Sequence, residues 1–94
     1  MRNEIVLDIE TSNTFEDVGG YEHAKLDISV IGCYFYENNE YRCFEQHEFG
    51  ELWPRLERSD RIIGYNTEGF DFLVMNRYYP GDFLKFPSLD ILAK

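Results

Sequence analysis

The sequence predicts an α/β fold built on one mixed sheet, with its elements in the order βββαβαβ. Two apolar runs, Ile5-Val6-Leu7-Asp8-Ile9 and Ile62-Ile63-Gly64-Tyr65, read as buried strands. Between them, two alternating stretches rich in Ile, Val, Tyr and Phe flank Asn38-Asn39, which is the pattern of an antiparallel hairpin. Two segments whose apolar residues recur at three and four, residues 51–59 and 68–79, supply the helices.

In chain order, residues 4–10 form the first strand. Residues 12–24 hold Asn13, Gly19, Gly20 and several acids and read as a polar loop, either a flap beside the end of that strand or a solvated connection. Residues 26–36 and 41–49 are the hairpin strands, and Gly50 interrupts the second. The helix over 51–59 tolerates Pro54 in its first turn and turns Leu52, Trp53 and Leu56 toward the sheet. After the strand at 61–65, Asn66 or Thr67 caps a helix over 68–79 whose apolar positions are Phe70, Leu73, Val74 and Tyr78. Pro80-Gly81-Asp82 ends it, and residues 86–92 form the last strand.

Ninety-four residues make one small domain or part of one, and 44% apolar with 17% aromatic content excludes a disordered chain. No stretch approaches the ~18–20 apolar residues of a membrane span. Glu4, Asp8 and Glu10 interrupt any signal-peptide pattern, so a soluble protein is expected. With a two-residue turn at Asn38-Asn39, Cys33 opposes Phe44 and Cys43 opposes Tyr34; a three-residue turn puts Cys33 across from Glu45. Neither register brings the thiols together, and reduced cysteines fit a cytoplasmic location. The net charge of −9 argues against a free-standing nucleic-acid binder, because phosphate contact needs clustered Lys and Arg. The imbalance is concentrated in residues 1–50, with 3 basic against 11 acidic side chains, while residues 51–94 hold 6 against 7.

Side chains of a strand alternate faces, so Asp8 and Glu10 project to the same side. Two carboxylates that close repel one another unless a cation lies between them, and hard oxygen ligands suit Mg²⁺ or Mn²⁺. A charge inside Ile-Val-Leu-Asp-Ile is costly unless paired or metal-bound, the alternative being a surface position on an edge strand. Past the middle of the chain, Asn66-x-x-x-Phe70-Asp71 follows a second apolar strand and brings a third carboxylate on another element. The helix dipole alone favours an acid in that first turn, so Asp71 gains its meaning from the surrounding motif.

Strand-borne Asp-x-Glu-Thr followed by Asn-x-x-x-Phe-Asp resembles the DEDD (DnaQ-like) 3′–5′ exonucleases of the ribonuclease H-like superfamily, with wording similar to the YprB-type domains. Asp8 and Glu10 match the first exonuclease motif; Asn66 and Asp71 match the second. The resemblance implies the ribonuclease H-like sheet, with residues 1–94 as a partial exonuclease domain lacking the C-terminal helices and the fourth carboxylate. It implies catalytic and metal-ligating roles for Asp8, Glu10 and Asp71, and substrate contacts from Thr11 and Asn66. The implied cofactor is a pair of Mg²⁺ or Mn²⁺ ions, and the implied partner is the 3′ end of a single-stranded nucleic acid. A sheet face left bare by missing helices would favour self-association.

Other residues read more simply. Asp90, in Leu-Asp-Ile-Leu, lies on the strand after the second motif, whereas the last family carboxylate is on a late helix. His23 and His47 both precede the second motif and do not match a histidine general base. Arg55, Arg58 and Arg61 fit a solvated helix face better than a phosphate site. Two functions follow: hydrolysis of nucleic acid by a two-metal site, weak or absent in this stretch alone, or a non-catalytic interaction module derived from the same fold.

Overall fold

The structure is a computed structural model and describes residues 3–92. Five strands form one sheet in the order β3-β2-β1-β4-β5, where β1 is Glu4–Thr11, β2 Ile28–Phe35, β3 Glu40–Phe44, β4 Arg61–Gly64 and β5 Ser88–Asp90. The first three strands are an antiparallel meander; β4 runs parallel to β1 and β5 parallel to β4. The α/β class and the mixed sheet are thus as predicted, and the arrangement is compatible with a ribonuclease H-like fold.

Alternation decides which face is buried. Ile5, Leu7 and Ile9 of β1, Ile31, Cys33 and Phe35 of β2, and Ile62 of β4 point into one continuous core. Helix α2 (Phe49–Glu57) closes that core with Phe49, Leu52 and Leu56, and α3 (Phe72–Met75) closes it with Phe72, Val74 and Met75. Among the described residues, α2 and α3 therefore cover the same face. On the other face, strand register aligns Tyr41, Tyr34, Val6, Ile63 and Leu89 in a row across all five strands. Val6, Tyr34, Ile63 and Leu89 are half-buried and Tyr41 is 68% exposed.

The hairpin departs from both expected registers. Phe35 pairs with Glu40, Tyr34 with Tyr41 and Gly32 with Cys43, so the turn spans residues 36–39. Asn39 takes a left-handed φ of 54°, which Asn tolerates better than most residues. The slip relative to the two-residue turn is two positions, and a shift of two returns every side chain to its own face. Cys33 therefore remains in the core and Cys43 on the open side, both free. Burial pushes the Cys33 thiol up to about 12. A thiol reagent is expected to modify Cys43 rapidly in the native protein and Cys33 only on unfolding; equal rates would contradict the facing of β2 and β3.

Further differences concern helix ends. Strand β3 stops at Phe44, and a 3₁₀ turn at Gln46–Glu48 leads straight into α2, so Gly50 sits inside the helix and Pro54 falls beyond its first turn. Within the expected polar loop, Phe15–Val18 forms a short helix, α1. Thr14 and Asp17 cap it reciprocally, and Gly19 closes it at φ 81°. The helix expected over 68–79 begins instead with a wide π turn, Thr67–Asp71, and its α-helical part ends at Met75. One extra residue in that turn rotates the inward face: Thr67, Asp71, Phe72, Val74 and Met75 are buried, while Phe70, Leu73 and Tyr78 are only partly so.

Gly64 ends β4 under tight constraint. A Cβ there would run into the Thr67 side-chain methyl and come within 3.1 Å of the Leu7 carbonyl oxygen. Gly64→Ala is expected to destabilise the protein by about 1–3 kcal/mol, the usual cost of overpacking. An unchanged denaturation midpoint would show that the β4 end is looser than this.

Candidate active site

Strand order sets the place of the site. The chain leaves the end of β1 toward β2 and leaves the end of the parallel strand β4 toward β5, on opposite sides. Such a divergence opens a crevice at the strand ends, where sites in open α/β sheets lie. Pairing between β1 and β4 ends at Val6 and Ile63, so the following stretch of β1 has an edge not taken up by that neighbour.

Asp71 fills this edge. Its Oδ2 accepts a hydrogen bond from the Ile9 backbone N–H at 3.2 Å. Ile9 lies between Asp8 and Glu10, whose side chains share the solvent-facing side of β1. Asp71 is the last residue of the π turn and is 4% exposed there. Burial, and then the charge of nearby Asp8, push the Asp71 carboxyl up to about 7; the Ile9 N–H works in the opposite direction. Asp8 and Asp71 are therefore electrostatic neighbours.

Glu10 is exposed on the same side as Asp8. Thr11 is half-buried at a bulge between Glu10 and Thr11, where the register with β2 shifts by one. Asn66 does not cap a helix through its side chain. It adopts φ 56°, and its Oδ1 lies 2.5 Å from where a Cβ on Gly69 would be. It shapes the turn.

Asp90 takes a position that its sequence context did not announce. Pairing of β4 with β5 puts it opposite Gly64, 7% exposed. Its Oδ1 accepts from Asn66 N–H at 2.7 Å and from Leu92 N–H at 3.0 Å, and its Oδ2 accepts from Glu68 N–H at 3.0 Å. Both oxygens are thus engaged with backbone of the turn that begins the Asp71 helix.

Aromatic residues gather around the loop after β1. Phe15 packs edge-on to His23 at 5.1 Å and to Phe70 at 5.9 Å, with Tyr21 at 5.3 Å on another side. The loop between residues 12 and 24 therefore folds back on Phe70, the neighbour of Asp71. A groove of about 520 Å³ is lined by Phe15, Glu16, Gly19, Gly20 and Tyr21, and not by Asp8, Glu10 or Asp71.

Basic side chains are largely committed elsewhere. Arg61 pairs with Glu4, Arg55 with Glu40 while lying over the Phe35 ring, Arg42 with Glu48, and Arg77 with Asp27. Another acidic group, Glu45, His47 and Glu48, brings donor atoms within 4.8 Å of one another. Glu48 is already used there: it caps the turn through the Glu45 N–H and pairs with Arg42, which together hold its carboxyl below the usual range.

No protein-family model matches this sequence, and no curated protein does. Solved structures do match. One is the family B DNA polymerase from the hyperthermophilic archaeon Pyrobaculum calidifontis, at a TM-score of 0.61 and 17% identity, over 83% of this chain and 11% of the polymerase chain. The chain thus corresponds to a small part of that protein, and the likeness is one of fold.

Proposed function

We propose that the chain carries the carboxylate centre of a metal-dependent 3′–5′ exonuclease-like domain acting on nucleic acid. The observation that carries this reading is Asp71 bonded to the Ile9 N–H, between the two acids of the Asp8-x-Glu10 strand. Likeness of fold to part of a DNA polymerase supports a nucleic-acid-related role.

The donor types of Asp8, Glu10 and Asp71 are those that Mg²⁺ or Mn²⁺ would take, while the three donors lying within 4.8 Å of one another among the described residues are those of Glu45, His47 and Glu48. The proposed set consists of hard carboxylate oxygens; the Asp71 carboxyl is raised first by burial and then by the charge of Asp8, and a cation would relieve the second of these. Asp8, Glu10 and Asp71 would hold the ions. When bound, a pair of divalent ions would activate water and stabilise the leaving 3′ oxygen in phosphodiester hydrolysis. With Arg42, Arg55, Arg61 and Arg77 paired to acids, positive charge for a phosphate at this end of the sheet would come mainly from the ions. Thr11 would meet the terminal nucleotide by its position next to Glu10, and Asn66 would contribute by shaping the turn before Asp71. Phe15, Tyr21, His23 and Phe70 offer ring faces on which bases of a single strand could stack.

A 3′-labelled single strand incubated with the protein and Mn²⁺ tests this function. Stepwise trimming from the 3′ end that requires the metal and disappears in Asp8→Asn supports it. Cleavage unaffected by chelation would overturn it.

A second reading rests on the bare sheet face. The row Tyr41–Tyr34–Val6–Ile63–Leu89 favours a module that docks another protein or a second copy. Concentration-dependent sedimentation that Val6→Asp abolishes, without any nuclease activity, would favour this alternative.

A further inference from the structure

The Asp90 carboxylate supports the candidate site from behind, and we infer that it is the positioning residue for Asp71. This rests on the site proposed above. Asp71 reaches Ile9 only because the chain after β4 turns abruptly, with Asn66 left-handed at φ 56° and a π turn over Thr67–Asp71. Neither feature is self-sustaining, since a left-handed non-glycine residue and a π turn are each uncommon conformations. Two N–H groups at the start of this turn, those of Asn66 and Glu68, have no earlier helical carbonyl to bind. Asp90 accepts from both, one with each oxygen, at 2.7 and 3.0 Å.

Its own place is fixed independently. Asp90 is held in the sheet opposite Gly64, and Ile91 N–H donates to the Gly64 carbonyl at 2.9 Å. The contacts with Asn66 and Glu68 are charge-assisted and largely shielded from water, the conditions under which such bonds are strongest. With each oxygen accepting from an amide of this turn, Asp90 acts on the metal site through Asp71. An Asp on the strand next to the second motif thus sets the register of the turn carrying the third carboxylate.

The test compares wild type, Asp90→Asn and Asp90→Ala by ¹H–¹⁵N NMR, with Asp8→Asn as a site control. Asn keeps one carbonyl acceptor, so it should rescue part of what Ala loses. In metal-free protein, Asp90→Ala is expected to speed amide exchange of Asn66 and Glu68 by about tenfold or more, and to move the Ile9 amide resonance, which reports the Asp71 bond. The central amides of Ile5 and Ile31 should stay put. Loosening a residue behind a metal ligand usually costs about 10–100-fold in metal affinity, so the Mn²⁺ concentration that broadens Ile9 should rise by that factor in Asp90→Ala and by less in Asp90→Asn. Uniform change across all sheet amides would reduce Asp90 to general stability and overturn the inference. An unmoved Ile9 amide would overturn it as well. If Mn²⁺ broadens nothing in wild type, the metal reading fails while the metal-free Ile9 shift still decides the role of Asp90.

Discussion

Asp8→Asn is expected to cut metal-dependent hydrolysis by at least about 10²-fold while leaving the fold intact. Residues that act on a metal only through its ligands already cost about 10–100-fold when lost, so removing the charge of Asp8, proposed above to hold the ions, should cost no less. The fold should survive because Asp8 is exposed on the open face and contributes nothing to the core beneath β1. Asn is nearly isosteric, so the change is mainly one of charge. Glu10→Gln should act in the same direction. The check is the rate of 3′ trimming with Mn²⁺ alongside the far-ultraviolet spectrum; full activity in Asp8→Asn would remove the first motif from the chemistry.

The second large effect concerns Asp71 and pH. Its carboxyl is raised from 3.8 to about 7 in the folded protein. The native state therefore binds this proton more tightly than the unfolded chain does. Its contribution to stability is fully present below about pH 4 and is lost as pH rises through about 7. At about 1.4 kcal/mol per unit, the loss has an upper bound of order 4 kcal/mol. Metal-free protein should thus become easier to denature between pH 5 and about 8. Asp71→Asn should flatten that dependence and be more stable than wild type at the alkaline end, since the amide oxygen can still accept from Ile9. Stability bought at the expense of function is a common feature of active sites. Urea midpoints at several pH values check this; a wild-type midpoint that is flat from pH 5 to 8 would contradict the burial of a charged Asp71 beside Asp8.

The strands were legible because their alternation is strong. Ile5, Leu7 and Ile9 face the core and Asp8 and Glu10 face out, as a period of two requires. The parallel pairing of β1 and β4 is what the resemblance to the ribonuclease H-like sheet implied. Other features depended on backbone geometry. The hairpin turn was longer than Asn38-Asn39 alone implied, because Asn39 rather than a two-residue turn carries the left-handed step. Helix α1 had a readable signal, Thr14-x-x-Asp17 with Gly19 beyond it, which the polar character of the loop obscured. The π turn had none: its phase shift depends on Asp90, more than twenty residues away in sequence, bonding to Asn66 and Glu68. For the same reason the sequence context of Asp90 did not reveal that its oxygens accept from the backbone of this turn.

The proposed site of Asp8, Glu10 and Asp71 at the β1 end has a rival among the described residues in Glu45, His47 and Glu48 before α2, whose donor atoms lie within 4.8 Å of one another. Titration of ¹⁵N-labelled protein with sub-stoichiometric Mn²⁺ separates them, because paramagnetic broadening falls steeply with distance from the ion. Selective loss of the Asp8, Ile9, Glu10 and Asp71 amide signals, abolished by Asp8→Asn, is the predicted result. Broadening centred on Glu45, His47 and Glu48, and indifferent to Asp8→Asn, would contradict the assignment of the site.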